Sequence, residues 1–434
     1  MSDLLVRGGF PLEGVVRPSA NKNAVLPILC ATLLSEAPIS LRHVPDITDV
    51  GRILDIFRSL GSQVEFDSIS HTLMLHHKNL RFDPVRQSLP EEMRSSVMLI
   101  PPLLARFGRV RIRADTKGCT LGAREIDPHI DVLRLFGFGV TQDEDFIEVK
   151  ADARPTAVVH WLDYASVTTT ENFVLCAASV SGESRLTNAA TEPHVQEFCQ
   201  FMALLGIQVE GIGTSRLSVA GSIFGGPVEY EFAEDHHEVA TFLAIGAITD
   251  GHVRIRNSTP QHFPLIDRTF DRLGVRIVHE GGWSVAKREG PLTIAQPFTR
   301  NILPKIEAAP WPYFPVDLLP IFAALCVKAD GKILLWNKVY EGALNWVTEL
   351  TKFGAHTFQA DPHRVVIFGG QGLRPATVES PYIIRVAIAL LMLAASIRGE
   401  SRIRNAQPIR RAHPDFIGNL RALGAEIEWQ EENI

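Results

Sequence analysis

Cysteine is scarce in this sequence, and no two cysteines are spaced as a Cys-x-x-Cys pair. The 434 residues contain five cysteines at irregular spacings. An odd number without a recurring spacing argues against a disulfide framework, and the missing pair argues against a zinc knuckle. Cys30, Cys176 and Cys326 stand in apolar runs, so we expect them to be buried and unreactive.

Long hydrophobic runs and clusters of basic residues are also missing. The longest apolar run, from Val386 to Ala395, has about half the length needed to span a bilayer. The N-terminus lacks the basic-then-apolar order of a signal peptide. With a net charge of -6 and no basic block, the chain does not look like a general nucleic-acid binder. We therefore expect a protein of the reducing cytoplasm that binds neither membranes nor nucleic acids.

One pattern recurs six times along the chain. An amphipathic segment ends in Leu-Gly or Phe-Gly, and an alternating strand follows, as in Ala425 to Trp429. A glycine at this place can adopt the left-handed conformation that ends a helix. The repeat is too long for a usual solenoid, because the glycines lie 68 to 80 residues apart. The six glycines are Gly61, Gly137, Gly206, Gly274, Gly354 and Gly424.

A second pattern lies between these glycines and consists of an apolar segment, a turn and a strand. The apolar segments have no polar face, so we expect buried helices rather than surface helices. They run over residues 24–34, 97–105, 173–180, 241–248, 318–327 and 385–397. Six α/β units predict two similar domains of three units, each of roughly 200 residues. We expect a cleft between the two domains, a common place for a ligand.

Cys119 lies in a short segment that is typical of a loop. Gly118 and Gly122 free its backbone. Lys117 and Arg124 favour the thiolate form of the cysteine, and two cationic side chains also suit an anionic substrate. The local residues leave two interpretations open, a reactive thiol and a loop cysteine without function.

Four motifs resemble the enolpyruvyl transferase family, and the resemblance covers the whole chain. They are Asn21-Lys22-Asn23-Ala24-Val25-Leu26-Pro27, Met93-Arg94-Ser95-Ser96, Gly118-Cys119-Thr120-Leu121-Gly122-Ala123-Arg124 and, more weakly, Arg421-Ala422-Leu423-Gly424-Ala425. The resemblance implies an α/β fold, an inside-out α/β barrel in two similar domains, each built of three repeated βαβαββ-type units. Domain I would hold residues 1–21 and 234–434, and domain II would hold residues 22–233 with the loop around Cys119.

The resemblance also implies a reaction. The enolpyruvyl group of phosphoenolpyruvate would move to the 3-hydroxyl of UDP-N-acetylglucosamine, releasing phosphate, in the synthesis of peptidoglycan precursors. The phosphate and carboxylate of phosphoenolpyruvate need fixed cations, its methylene carbon needs an acid, and the attacking hydroxyl needs a base. This chemistry requires neither a metal nor a cofactor. We expect a monomer or weak homo-oligomer that is a target of the epoxide antibiotic fosfomycin.

Five residues match the part of the family pattern that handles phosphoenolpyruvate. Lys22, Arg124 and Arg411 match residues that bind it. Cys119 matches the proton donor, and Asp317 matches the carboxylate near the attacking hydroxyl. Other interpretations are a solvated lysine at a helix start for Lys22, the N-cap of the following helix for Asp317, and a plain loop arginine for Arg411.

A second set matches the family's contacts with the acceptor nucleotide. It comprises Asn23, Arg94 and Val339 on the sugar side, Glu125, Ile126, Asp127, Pro128 and His129 against uracil, and Ser166, Val167 and Thr168 at the diphosphate. Hydroxyl and backbone N–H groups at the start of a helix can bind phosphate oxygens. The resemblance therefore implies a uridine nucleotide as the second substrate.

Several basic positions of the family pattern are altered. Tyr164 and Thr168 stand where a lysine and a glycine are expected, and His236 and Ala343 lie where arginines are expected. Arg385 is offset by one position, which turns a helical side chain by about 100°. Three hypotheses stay open: the reaction above, the same transfer to another nucleotide in secondary metabolism, and a ligand-binding paralogue without turnover.

Asp235, His236, His237 and Glu238 offer four metal-ligating side chains in a row. Such a run can be mistaken for a metal site. No further ligand stands at a familiar spacing, so we expect no metal here.

Overall fold

The computed structural model describes residues 2–83, 94–113, 126–144, 146–151, 155–221, 225–299, 301–413 and 415–431. The described residues form two compact units. The first unit runs to Ser19 and resumes at Ala233, and the second runs from Ala20 to Phe232. The domain boundaries predicted from the sequence, after residues 21 and 233, stay a prediction.

Helices make up the interior of both units. In the described residues the α-helices are α1 Lys22–Thr32, α2 Thr48–Ser59, α3 Ile100–Phe107, α4 Asp127–Leu135, α5 Val167–Ala177, α6 Pro193–Leu204, α7 His236–Ile248, α8 Pro264–Asp271, α9 Leu319–Lys328, α10 Thr348–Lys352, α11 Ile384–Ala395, α12 Pro408–Ala412 and α13 Phe416–Ala422. Short 3-10 helices span Arg94–Leu99, Pro260–His262, Val316–Leu318 and Asn345–Val347. No helix of the described ranges is long and apolar enough to cross a membrane.

Strands alternate with the helices along the chain. Across the described ranges they are β1 Ser2–Gly8, β2 Glu13–Val16, β3 Ile39–Arg42, β4 Gln63–Asp67, β5 Thr72–His76, β6 Arg109–Arg113, β7 Gly139–Gln142, β8 Phe146–Lys150, β9 Val159–Trp161, β10 Ser184–Thr187, β11 Ile207–Glu210, β12 Arg216–Gly221, β13 Val228–Glu231, β14 His252–Arg256, β15 Val275–Glu280, β16 Trp283–Arg288, β17 Lys305–Ala308, β18 Gly331–Asn337, β19 His356–Asp361, β20 Arg364–Gly369, β21 Thr377–Glu379, β22 Gly399–Arg404 and β23 Glu426–Glu431.

These strands form three sheets in each unit. The first unit has the orders β2-β14-β16-β15, β17-β18-β20-β19 and β21-β22-β1-β23, and the second has β13-β3-β5-β4, β9-β10-β12-β11 and β6-β8-β7. In each four-stranded sheet the first two strands are parallel and the other neighbours are antiparallel. The chain is therefore a mixed α/β protein, as predicted.

The six recurring glycines end helices. Each follows an amphipathic helix, from α2 before Gly61 to α13 before Gly424. All six have positive φ angles, between 75° and 95°. These angles confirm, at every copy, the left-handed conformation that the sequence pattern predicted. Glycine suits these positions because a residue with a side chain would be strained there.

The apolar helices form the two cores. Every residue of α7 is buried, and α1, α5, α9 and α11 are buried along nearly their whole length. Cys30, Cys176 and Cys326 lie in α1, α5 and α9, and all three are buried, as predicted. Burial raises the pKa of each of these thiols, so they stay protonated.

One polar group in the core of the second unit is an uncharged histidine. Ser62 Oγ and Thr32 Oγ1 lie 2.8 and 3.0 Å from the two ring nitrogens of His77. Phe57 meets the same ring edge-on at 5.0 Å between centroids. Burial lowers the pKa of His77 to about 3, with a smaller contribution from the nearby charge of Arg106. The ring is therefore neutral at physiological pH.

This burial predicts a loss of stability in acid. An unfolded histidine titrates near pH 6.5, so the stability that neutral His77 contributes is complete above that pH and is lost as pH falls toward about 3. Between pH 6 and 4 we expect the free energy of unfolding of the wild type to fall more steeply than that of His77→Gln, by about 1.4 kcal/mol per pH unit. Urea unfolding of both proteins measures the two slopes, and His76→Gln controls for the loss of an imidazole. Equal slopes for the wild type and His77→Gln would contradict the expectation.

Candidate functional site

Three helices in the described part of the chain begin with a side-chain cap. Asn21 accepts from Asn23 N at 2.9 Å before α1, and Ser166 accepts from Thr169 N at 3.4 Å before α5. Asp235 accepts from His237 N at 2.9 Å before α7. These caps satisfy peptide N–H groups that have no acceptor within the helix. The same three helices carry candidate residues in their first turns.

Lys22 is the first residue of α1, and its ammonium pairs with the carboxylate of Asp49. Asp49 is buried in the first turn of α2, and the Lys22 side chain is 29% exposed. Lys22 is thus a fixed, partly buried cation, and the interpretation as a freely solvated lysine is wrong. Asn23, the next residue, is exposed.

Asp317 lies in the 3-10 helix that leads into α9. It caps neither that helix nor α9, since neither has a side-chain cap. The N-cap interpretation of Asp317 is therefore wrong. The side chain instead lines a small cavity together with Arg385 and Ala343. Arg385 does face this cavity, and Ala343 supplies an apolar wall where the family pattern has an arginine.

Arg385 lies in the first turn of α11, and its Nη2 atom is 3.4 Å from Asp235 Oδ2. Burial alone would raise the pKa of the Asp235 carboxyl. The hydrogen bond from His237 and the charges of His237, Arg385 and His236 outweigh it and hold that pKa well below its usual range. Within the described residues Arg385 Nη1 is buried without a hydrogen-bond partner. A buried donor of this kind is suited to an anionic group of a ligand.

The start of α7 is the centre of a larger polar cluster. Glu238 Oε2 accepts hydrogen bonds from Ser19 N and Oγ at 3.2 and 2.6 Å, and His413 Nδ1 lies 3.3 Å from the same oxygen. The rings of His236 and His237 lie 3.9 Å apart between centroids and are tilted by 37° to each other. The sequence analysis missed His413, because nothing local shows that a residue so distant in the chain packs against Glu238.

His413 changes the argument about a metal. The ligating atoms of Asp235, Glu238 and His413 lie within 4.8 Å of one another, so these residues could hold an ion. His413 stands at no familiar spacing from Asp235 and Glu238 in the sequence, so the sequence pattern did not indicate it as a possible ligand. Both carboxylates, however, are engaged by Ser19, His237 and Arg385, and these contacts account for the cluster without a metal.

The candidate nucleotide residues of the second unit lie at the starts of α4 and α5. Asp127 and Pro128 are exposed and Ile126 is partly buried, whereas His129 is buried. Both nitrogens of the His129 ring are used inside the unit, since Asn172 Nδ2 lies 2.9 Å from Nδ1 and Thr168 Oγ1 lies 3.2 Å from Nε2. Burial lowers the pKa of His129 to about 4. The ring of His129 thus connects α4 to α5.

Tyr164 and Val339 are two further positions of the family pattern, and neither lies in the cavity of Asp317. Tyr164, which replaces a lysine of the family pattern, is 53% exposed, and its carbonyl accepts from Ser166 N at 2.7 Å. Val339 lies in a turn that Asn337 Oδ1 fixes by accepting from Val339 N and Tyr340 N at 2.8 and 3.0 Å. Val339 lines an open depression beside β18 and β20 rather than the cavity of Asp317.

Part of the predicted site lies outside the described residues. Cys119, Arg124 and Glu125 belong to residues 114–125, which the structure does not describe. Arg94 begins a 3-10 helix and Arg411 lies in α12, but the description does not extend to these two side chains. Their roles stay predictions.

Comparison with known proteins places the chain among carboxyvinyltransferases. A model of the EPSP synthase family (3-phosphoshikimate 1-carboxyvinyltransferase) matches residues 6–420. The UDP-N-acetylglucosamine 1-carboxyvinyltransferase of Bradyrhizobium diazoefficiens is 37% identical over 424 residues, covering 98% of this chain and 97% of that protein. The protein of the same name from Treponema pallidum is 34% identical over 436 residues, covering 99% and 100%.

Solved structures agree on the fold. The enolpyruvyl transferase NikO from Streptomyces tendae has a TM-score of 0.86 at 23% identity and covers 99% of both chains. An EPSP synthase from Acinetobacter baumannii has a TM-score of 0.80 at 16% identity, covering 99% of this chain and 100% of its own. At these identities the two structures show a shared fold.

Proposed function

The chain belongs to the EPSP synthase family of enolpyruvyl transferases, and from that membership we propose that it transfers the enolpyruvyl group of phosphoenolpyruvate to the 3-hydroxyl of UDP-N-acetylglucosamine. Phosphate is the second product. The observation that carries this proposal is the identity of 32–37% with curated UDP-N-acetylglucosamine 1-carboxyvinyltransferases over 98–100% of this chain. The reaction supplies peptidoglycan precursors, and we assign it to the cytoplasm.

We propose further that each unit is an inside-out α/β barrel of three repeats. Three sheets per unit and one strand order in all five four-stranded sheets support this arrangement. Each repeat then contributes one buried apolar helix, namely α1, α3 and α5 in the second unit and α7, α9 and α11 in the first. In this architecture polar groups lie at the helix starts, and the rest of each helix packs in the core of its unit.

The proposed chemistry begins with the charges of phosphoenolpyruvate. Lys22, Arg124 and Arg411 bind its phosphate and carboxylate, and these fixed cations stabilise the charge that shifts during the reaction. Lys22 is already held by Asp49, so it can meet the substrate without losing further side-chain freedom. Arg385, with its unpaired buried Nη1 atom, is a further donor for an anionic group.

Two proton transfers accompany the addition step. The Cys119 thiol gives its proton to the methylene carbon of phosphoenolpyruvate while the acceptor oxygen bonds to the adjacent carbon. Asp317 takes the proton of the attacking hydroxyl, which needs a carboxylate that is not tied up in a helix cap. The Cys119 thiolate left by the first step then takes a proton from the methyl carbon of the intermediate, and the bond to phosphate breaks, so that phosphate leaves with the bonding electrons and the double bond of the product is restored.

A second acceptor is favoured by a specific observation. This chain departs from the family pattern at four positions. Tyr164 replaces a lysine, Thr168 replaces a glycine, and His236 and Ala343 lie where arginines are expected. Three of these changes, at Tyr164, His236 and Ala343, remove a permanent positive charge. They favour, as the alternative, the same enolpyruvyl transfer to a different nucleotide acceptor in secondary metabolism. A paralogue without turnover is disfavoured because Lys22, Asp317, Cys119 and Arg411 are all present.

The proposed function is tested by phosphate release from phosphoenolpyruvate in the presence of a panel of uridine nucleotides. We expect release with UDP-N-acetylglucosamine and a product that carries a carboxyvinyl ether on the 3-oxygen. Asp317→Asn should lower the rate constant by about a hundredfold or more, since it removes a general base. Phosphate release with another uridine nucleotide only would support the alternative acceptor. No phosphate release with any nucleotide of the panel would support the ligand-binding paralogue without turnover.

The proposed role of Cys119 predicts a single site of modification by fosfomycin. The described cysteines are all buried, and burial raises the pKa of Cys199 to about 12, so they are poor nucleophiles. After incubation with fosfomycin we expect mass spectrometry to show one adduct, on the peptide with Cys119, and none in Cys119→Ala. An adduct on Cys30 or Cys326 would contradict the assignment.

A further inference from the structure

Glu238 is a buried carboxylate that the proposed mechanism does not use. It lies in the first turn of α7 and is 2% exposed. Its Oε2 atom accepts hydrogen bonds from Ser19 N at 3.2 Å and Ser19 Oγ at 2.6 Å, and His413 Nδ1 lies 3.3 Å from the same oxygen. One carboxylate oxygen therefore joins two segments of the first unit that are far apart in the chain.

Ser19 is fixed by α7 through both of its backbone polar groups. Its N–H donates to Glu238 Oε2, and its carbonyl accepts from Asp235 N at 2.8 Å. Lys22 follows three residues later as the first residue of α1. Three residues of extended chain span at most about 10 Å. The position of Ser19 therefore limits where Lys22 can lie.

His413 is held beside α7 directly after the end of α12. Its N–H donates into the last turn of α12 at 2.9 Å, and its carbonyl accepts from Phe416 N at 3.1 Å. The His413 ring is buried, and the Phe416 ring 6.2 Å away packs in turn on Phe242 of α7 at 5.0 Å between centroids. Arg411 lies in α12, two residues before His413. The contact with Glu238 is thus the polar part of the packing of this segment on α7.

The start of α7 also holds a third candidate cation. Asp235, which caps α7, lies with Oδ2 3.4 Å from Arg385 Nη2. Three segments that carry candidate cations, those of Lys22, Arg385 and Arg411, thus contact α7 at its first turn or at its cap. The start of α7 is a common fixed point for these segments.

We propose that Glu238 is a positioning residue for phosphoenolpyruvate. Its contact with Ser19 fixes the segment before Lys22, and its contact with His413 fixes the segment of Arg411. The inference rests on the proposed function, which assigns these two cations to phosphoenolpyruvate. A cation that is held in place before the substrate arrives loses less entropy when the substrate binds. Glu238 acts through the two segments, since its Oε2 atom is engaged within the protein.

The binding of phosphoenolpyruvate, measured by calorimetry in the presence of uridine diphosphate, tests this inference. Uridine diphosphate lacks the sugar hydroxyl that would react, so phosphoenolpyruvate is not consumed. Glu238→Ala should weaken phosphoenolpyruvate about 10- to 100-fold, the range for a small displacement of substrate-positioning groups. In turnover it should raise the KM of phosphoenolpyruvate and leave that of the acceptor within a few-fold. Glu238→Gln, which keeps an oxygen acceptor for Ser19, should retain most of the affinity.

Two milder variants separate the two segments. Ser19→Ala removes the Oγ hydrogen bond and keeps the N–H bond, and His413→Phe removes Nδ1 and keeps an aromatic ring beside Phe416. Each should weaken phosphoenolpyruvate about 2- to 10-fold, as for one lost hydrogen bond. His413→Phe should cause no further loss in a protein that already carries Arg411→Ala, because the two residues act on one contact with the substrate.

His279→Phe is the matched control. This histidine also contacts a carboxylate, with Nε2 2.9 Å from Asp267 Oδ2, but it lies in β15, outside the segments that Glu238 joins. Its replacement should lower the free energy of unfolding and leave the affinity for phosphoenolpyruvate unchanged. The inference is overturned if Glu238→Ala and His413→Phe behave like this control, or if the losses from His413→Phe and Arg411→Ala add.

A failure of the proposed function would be a separate result. If phosphoenolpyruvate binds and the variants weaken it as expected, but no nucleotide of the panel releases phosphate, the transfer reaction is wrong and the positioning role stands. If phosphate is released but the variants leave phosphoenolpyruvate binding unchanged, the positioning role is wrong and the proposed function stands. If phosphoenolpyruvate does not bind the wild type, with or without uridine diphosphate, the inference fails.

Discussion

The first turn of a buried helix carries peptide N–H groups that have no acceptor within the helix, and the structure depends on how these groups are satisfied. Asn21, Ser166 and Asp235 cap α1, α5 and α7 with their side chains. The bodies of these helices are largely apolar and buried, so most of their polar side chains lie in the first two turns. The candidate residues follow this rule: Lys22, Thr168, His236, Asp317 and Arg385 all lie in a first turn or in the turn directly before it.

The same constraint explains how the starts of these helices can attract anions. Helix starts are positive because their peptide dipoles align, and they favour phosphate and carboxylate groups. Two candidate cations are held by carboxylates, Lys22 by Asp49 and Arg385 by Asp235. Such pairs fix the direction of a cation before a substrate arrives, which lowers the entropy that binding must lose.

Much of the fold was predictable because it depends on local rules repeated six times. The glycines such as Gly61 and Gly424 were predictable from a helix that ends before an alternating strand, and the buried helices from segments without a polar face. The site was less predictable. The alternative interpretation of Asp317, as the N-cap of α9, is wrong, because a 3-10 helix lies directly before α9. His413 and Asn172 act through contacts between residues far apart in the chain, and such contacts leave no local signal.

The central claim is that substrates bind at the starts of the buried helices, and hydrogen–deuterium exchange tests it most directly. Amides that become bonded to a ligand or shielded by it exchange more slowly. With UDP-N-acetylglucosamine and phosphoenolpyruvate bound to Cys119→Ala, the account predicts slower exchange in peptides that contain the first turns of α1, α5, α7 and α11. The hairpin of β15 and β16 should be unchanged. Protection confined to that hairpin or to other strand pairs, with the helix starts unaffected, would contradict the account.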